Sequence, residues 1–263
     1  MTDVWNPSTY HLFADERARP FHDLLALVEP GPLRSGVDLG CGSGELTALA
    51  AKRLGITDAV GIDSSERMLR EAAAHEGPGL RFQRGDIATW TDEPRVDLVL
   101  ANASLQWVPD HPAVIERWAA ALRAGGQLAI QVPDNAGHAS HRCIVATAAE
   151  PPFRDLIPPD IAADPVAHNV LRPETYAELL HDLGFARQIV RLQVYGPVLE
   201  RSDQVVDWVR GTSLTRFQRC LDPEMFERFV ARYRANLLAE IGERAPYYFA
   251  FRRILMWAIR PRG

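Results

Sequence analysis

The 263-residue sequence predicts an α/β protein built on a doubly wound, mostly parallel sheet, with a helical cap inserted in its second half. Two observations predict it. Between Ser35 and Val132, short apolar runs alternate with helical runs of roughly ten residues, an order that gives parallel strands joined by right-handed crossovers. The first apolar run also opens into Asp38-Leu39-Gly40-Cys41-Gly42-Ser43-Gly44, with glycines at alternate positions between a strand and a helix.

Residues 1–34 read as an N-terminal helical segment over the ligand site, with Phe21, Leu24, Leu25 and Val28 at helical spacing. Strand one ends near Leu39, and Glu45–Leu54 is its crossover helix. Strand two covers Ala59–Ile62, after which Ser64 or Ser65 caps a helix reaching about Ala74. Gly77-Pro78-Gly79 breaks that helix ahead of strand three, Leu80–Arg84. Strand four is Val96–Ala101, a helix spans Ala113–Arg123, and strand five runs from Gln127 to Val132 after Gly125-Gly126. The alternation then fails. Pro133–Arg172 is proline-rich and irregular, and Pro173–Leu183 is a helix with proline in its first turn. Gln188–Tyr195 is a sixth strand, Ser202–Glu243 is helical in pattern, and Phe249–Ile259 is the seventh strand. Residues 35–133 therefore form the ligand-binding core, 134–172 and 202–245 the cap, and 173–201 and 246–263 the return to the sheet.

Open sheets of this kind bind ligands beyond the carboxyl ends of their strands. Gly40, Asp63, Asp86 and Asn102 all fall at or just past such ends. The glycines allow a tight turn, and N–H groups at the next helix start favour an anionic or electron-rich ligand. Asp63 can accept hydrogen bonds from ribose hydroxyls. Asp86 either accepts from an adenine amino group, with Ile87 against the ring, or caps its own turn. Met68 packs on the other adenine face or in the core. Asn102 to His111 follows strand four, where Trp107 either walls a site or fills core. Arg17 and Arg19 precede Pro20, and Arg252 and Arg253 lie in an aromatic strand, where a charge needs a partner.

Hydrophobic residues make up 47% and charged residues 24%, which suits a globular protein with an ample core. A net charge of −5 excludes a general nucleic-acid binder, which needs a basic surface. No apolar run approaches a membrane span, and no signal peptide is legible at the start. Cys41, Cys143 and Cys220 are widely spaced and form no metal or disulfide pattern; His138 and His141 lack a third ligand. A cytoplasmic protein without metal is expected.

A nicotinamide-binding turn prefers G-x-G-x-x-G, whereas here the third glycine comes one residue sooner. The Asp-x-Gly-x-Gly-x-Gly spacing resembles the S-adenosylmethionine site of class I methyltransferases. Further segments resemble one bacterial branch, the trans-aconitate methyltransferases. They are Trp5-Asn6-Pro7-x-x-Tyr10, Phe13-Ala14-x-Glu16-Arg17-x-Arg19-Pro20, Gly61-Ile62-Asp63-Ser64-Ser65, Ala101-Asn102-Ala103-Ser104-Leu105-Gln106-Trp107 and Gln131-Val132-Pro133-Asp134-Asn135, with Asp207-Trp208-Val209 as a late echo. The sequence departs from that family's Trp-x-Thr-Thr-Tyr-x-His at Val190–Gly196, and from its Leu-Arg-Pro at Leu214-Thr215-Arg216.

The resemblance implies a Rossmann-like methyltransferase core that uses S-adenosylmethionine to methylate a carboxylate oxygen of a small organic acid. It implies cofactor binding by Asp38, Gly40, Gly42, Gly44, Asp63, Ser64, Met68, Asp86, Ile87 and Asn102. Gln106, Trp107 and Arg19 are the implied catalytic residues, and Arg17, Arg19, Trp107 and Arg252 the implied substrate contacts. Methylation of a hydroxyl, amine or carbon is the alternative, with His141 or a tyrosine as base for an alcohol. A cofactor-binding protein without turnover is a third reading. The expected partner is a small acid rather than nucleic acid or membrane, in a monomer or dimer.

Overall fold

The computed structural model describes residues 14–92 and 96–262, apart from the side chains of residues 14–17. The chain divides into two compact units, one of residues 19–133, 169–193 and 253–262, the other of residues 14–18, 134–168 and 194–252.

The first unit holds a seven-stranded sheet in the order β3-β2-β1-β4-β5-β9-β6. Its strands are β1 (Ser35–Leu39), β2 (Asp58–Asp63), β3 (Leu80–Arg84), β4 (Val96–Asn102), β5 (Leu122–Pro133), β6 (Arg187–Tyr195) and β9 (Phe251–Ile259). β1 to β5 are parallel, and β9 returns antiparallel to β5. The central strands are buried on both faces, so they read as continuous apolar runs. One face packs Leu98, Leu100, Ala129, Leu255 and Trp257 with Phe21, Leu24 and Leu25 of α1 (Ala14–Leu25) and Ala50 of α2 (Glu45–Leu54). The other packs Val99, Ala101, Leu128 and Ile130 with Trp118 of α4 (His111–Ala120) and Tyr176 and Leu180 of α9 (Pro173–Asp182). α3 (Glu66–Ala72) follows β2 and is capped by Ser65, whose Oγ accepts from Met68 N at 3.3 Å.

Asp97 pins the start of β1. Its Oδ2 accepts from the N–H groups of Arg34 (2.8 Å) and Ser35 (2.9 Å), and Arg123 pairs with its other oxygen. α4 starts two residues earlier than the spacing predicts and ends at Ala120, because Leu122 already pairs with Val96 and extends β5 backwards.

The second unit is helical: α5 (Ala139–Ala148), the short α6 (Phe153–Leu156), α7 (Pro159–Ala162) and α8 (Pro165–Asn169), then α10 (Gln204–Arg210) and α11 (Pro223–Ile241), with the pair β7 (Val198–Leu199) and β8 (Tyr247–Tyr248). α11 buries Phe226, Phe229, Val230, Tyr233, Leu237 and Ile241 along one stripe. Asp222 caps its start, accepting from Met225 N at 2.8 Å, and proline occupies its first turn. Phe229 meets Phe153 and Phe217 at ring separations of 5.1 and 4.5 Å. The stretch from Pro133 to Arg172 is therefore more ordered than its prolines suggest. Among the described residues no helix is long and apolar enough to cross a membrane.

Candidate active site

Strand order reverses between β1 and β4, and the loops leaving these two strands clasp each other. Ser104 Oγ donates to the Leu39 carbonyl at 2.5 Å. Gly40 sits at φ 86°, and a Cβ there would lie 2.2 Å from the Ser104 Cβ, so only glycine fits. Ala103 adopts φ 53°, which costs a non-glycine residue about 1–3 kcal/mol. It is held there by Ala103 N donating to Gln131 O (2.9 Å) and Gln106 Nε2 donating to Ala103 O (2.6 Å). Asn169 Nδ2 secures Gln106 O at 2.9 Å. Behind the turn, His111 Nε2 donates to Leu105 O (2.9 Å), and its Nδ1 accepts from Tyr176 OH (2.5 Å). Burial lowers the His111 pKa below its ordinary value, which matches this neutral, doubly bonded ring.

The glycine loop turns its donors inward. Gly40 N and Cys41 N both donate to Ile62 O, at 2.8 and 3.0 Å, and Gly44 N donates to Cys41 O at 3.1 Å. Gly42 N donates to Asp63 Oδ2 at 2.9 Å, while Asp63 Oδ1 accepts from Ser65 N at 2.8 Å. The N–H groups of Gly40, Cys41, Gly42 and Gly44 are therefore occupied by the neighbouring strand end, by Asp63 and by the loop itself. Gly42 has no atom within 4 Å of where a Cβ would stand, so the loop is open at its tip.

Gly40, Gly42, Gly44, Asp63, Ser64, Met68, Asp86, Ile87, Asn102, Gln106 and Trp107 all lie at or after the carboxyl ends of β1 to β4. Asp86 Oδ1 caps its own turn, accepting from Ala88 N at 2.9 Å, which leaves Oδ2 for another partner. Met68 and Ile87 are half-buried, Ser64 is exposed, and Trp107 is 55% exposed, large for an indole. Asp38 is buried behind the loop, where Thr47 Oγ1 donates to its Oδ2 at 2.5 Å and Oδ1 has no partner among the described residues. Burial, with the charge of Asp63 adding and Thr47 opposing, raises the Asp38 pKa to about 6. Arg19 is exposed on α1, and the side chain of Arg17 lies outside the described residues, as do Trp5 to Phe13. Arg252 belongs to the helical unit, pairs with Asp134, and donates its N–H to Asn135 Oδ1 at 2.6 Å.

Three further buried polar atoms near this rim lack partners among the described residues: Asn102 Oδ1, Gln106 Oε1 and Gln131 Nε2. Asn102 and Gln131 are register partners on β4 and β5, so their side chains share a face. Gln131, 2% exposed, was not singled out from the sequence. Its signal was a polar residue in an otherwise apolar strand, Leu128-Ala129-Ile130-Gln131-Val132. Among the described residues, no three His, Cys, Asp or Glu side chains are grouped to hold a metal.

A family model described as a methyltransferase domain matches residues 37–126. The chain is 43% identical to a trans-aconitate 2-methyltransferase of Deinococcus radiodurans, over 98% of this chain and 99% of that one. It is 42% identical to the trans-aconitate 2-methyltransferase of Variovorax paradoxus, over 87% of each. Among solved structures, the YcgJ protein of Bacillus subtilis matches with a TM-score of 0.59 at 14% identity, over 93% of this chain and 99% of that one. Phosphoethanolamine N-methyltransferase 2 of Haemonchus contortus, in complex with S-adenosyl-L-methionine, matches with a TM-score of 0.58 at 14% identity, over 97% of this chain and 56% of that one. At such identities the solved structures establish the Rossmann-like methyltransferase fold alone. Since these curated relatives align over 87% or more of both chains at 42–43% identity, the chain belongs to the trans-aconitate 2-methyltransferase family.

Proposed function

We propose that this chain is an S-adenosylmethionine-dependent methyltransferase that esterifies a carboxylate of a small organic acid, with trans-aconitate as the first acceptor to test. The observation that carries this reading is the glycine loop. Four of its N–H groups, those of Gly40, Cys41, Gly42 and Gly44, are occupied within the protein and so are not offered to a pyrophosphate. A cofactor made of adenine, ribose and an amino acid, with no phosphate, instead calls for acceptors. Asp63, Asp86 Oδ2, Asn102 Oδ1 and Gln106 Oε1 offer them at or after the carboxyl ends of β2, β3 and β4. The residues fit the group. Asp63 would hold the ribose hydroxyls, Met68 and Ile87 the adenine, and Asn102 the ammonium.

When bound, S-adenosylmethionine supplies a methyl group already activated on a sulfonium. A carboxyl of ordinary pKa, roughly 4, is an anion at neutral pH and needs no general base. The protein's task is to exclude water and align the oxygen, an effect that can remove on the order of 7–11 kcal/mol of barrier. Trp107 and Gln106, on the clasped turn after β4, would wall the acceptor. Arg19 would grip a carboxylate through the bidentate guanidinium fork. Arg252 is already shared with Asp134.

The test is purified protein with methyl-labelled S-adenosylmethionine and a panel of carboxylic acids, alcohols and amines. Label is expected only in carboxylate-bearing acceptors, with trans-aconitate foremost. Label confined to alcohols or amines contradicts the reading. Arg19→Lys should lower kcat/KM for the acid and leave affinity for the cofactor product unchanged; equal kinetics in both proteins would remove Arg19 from the site.

A further inference from the structure

One face of the sheet turns polar at its carboxyl edge. On that face Leu98 and Leu100 of β4, Ala129 of β5, and Leu255 and Trp257 of β9 form a core with Phe21 and Leu24. Residues two apart on a strand share a face, so the next positions toward the ends of β4 and β5 are Asn102 and Gln131. Gln131 stands in register between Asn102 of β4 and Leu255 of β9. Arg253, half-buried, pairs with Pro133 one step further along the same face. It is therefore the diagonal neighbour of Gln131, within reach of a long side chain. All of these residues belong to the sheet unit.

The sense of the hydrogen-bonding groups changes along this edge. Asn102 and Gln106 present unpartnered oxygens, whereas Gln131 presents Nε2, a buried donor without a partner among the described residues. Gln127, on the same strand and face, shows what a glutamine kept for packing looks like. Its Nε2 donates to Glu29 O (3.0 Å), and its Oε1 accepts from Glu29 N (2.8 Å) and Trp257 Nε1 (2.7 Å). A buried donor left unanswered carries the full cost of its lost water, so it is kept for an acceptor that a ligand brings. We infer that Gln131 Nε2 donates to a carboxylate of the methyl acceptor, with the positive charge of Arg253 beside it, and so selects a polycarboxylate. This rests on the acid-methylation reading above. The cofactor's oxygen partners Asp63, Asp86 and Asn102 stand at the ends of β2, β3 and β4, so Gln131 on β5 is next in line on the acceptor's side. Donation to the attacking oxygen would weaken the nucleophile; the carboxylate held is one that does not react.

The experiment measures KM and kcat for trans-aconitate at saturating S-adenosylmethionine, affinity for S-adenosylhomocysteine by calorimetry, and the denaturant midpoint. Gln131→Met keeps the length of the side chain and removes the donor, Gln131→Glu puts an anion there, and Arg253→Gln removes the neighbouring charge. Gln131→Met should raise KM about tenfold, the loss of a hydrogen bond to a charged group, with kcat and S-adenosylhomocysteine affinity changed less than about twofold. Its denaturant midpoint should not fall, since an apolar group replaces an unsatisfied donor. Gln131→Glu should raise KM at least about a hundredfold through like charges brought together. Arg253→Gln should raise it about fivefold, as a charge acting without direct contact. Wild-type KM in Gln131→Met overturns the donor role and leaves the methyltransferase reading intact; wild-type KM in Arg253→Gln strikes its charge from the subsite. Weakened S-adenosylhomocysteine binding at unchanged KM for the acid also overturns the role, because the carboxylate held is then the cofactor's own. A wild-type protein that methylates no acid overturns both readings.

Discussion

At the residue scale, Asp38 and Asp63 carry opposite consequences of the same loop. Asp38 is buried with one oxygen unpaired among the described residues, and its pKa is raised to about 6. A carboxyl whose folded pKa exceeds its unfolded value, roughly 3.9, contributes stability that is full below the unfolded value and is lost as pH rises through the folded one. Asp38→Asn should therefore gain on the wild type between pH 3 and pH 7, by on the order of 3 kcal/mol in denaturant unfolding. A difference that stays constant over that range contradicts the assignment. Asp63 holds Gly42 N and Ser65 N as well as offering itself to a ligand. Asp63→Ala should weaken S-adenosylhomocysteine binding by roughly 1.5–3 kcal/mol. It should also lower the Tm of the free protein, because two N–H groups lose their acceptor. Unchanged affinity by calorimetry would remove Asp63 from the site.

At the scale of elements, the site depends on the clasp between the loops after β1 and β4. Gly40→Ala drives a methyl group into the Ser104 side chain and a left-handed φ onto an alanine. It should abolish binding of the cofactor product, and adding Ser104→Gly should restore part of it by removing the clash while the strained φ remains. Full binding by Gly40→Ala alone would show that the loops do not need this fit. The alternation of apolar and helical runs made β1 to β4 legible: β1 and β4 are buried apolar runs, and the more exposed edge strand β3 is bounded by Gly79 and Gly85. The start of β5 was not legible: Leu122 to Gly126 reads as a helix ending, yet pairing of Leu122 with Val96 pulls it into the sheet. Nor could spacing reveal that Gly42 N answers Asp63, twenty-one residues away, or that His141 meets Asp164. Such pairings are fixed by tertiary packing and leave no local pattern.

Over the whole molecule, two units with separate hydrophobic cores divide the chain. The sheet unit repeats a familiar order, so its sequence announces the fold through Gly40, Asp63 and Asn102 at successive strand ends. The helical unit is built from aromatic contacts such as Phe153, Phe217 and Phe229, which are distant in sequence and carry no periodic signal beyond α11. Family membership rests on both units, because the relative from Deinococcus radiodurans aligns over 98% of the chain. The central claim is that a carboxylate oxygen takes the methyl group. Trans-aconitate enriched with oxygen-18 in its carboxyl groups, turned over with S-adenosylmethionine, should give an ester whose alkaline hydrolysis releases methanol carrying oxygen-18. A product that survives alkali, or methanol without the heavy oxygen, would contradict it.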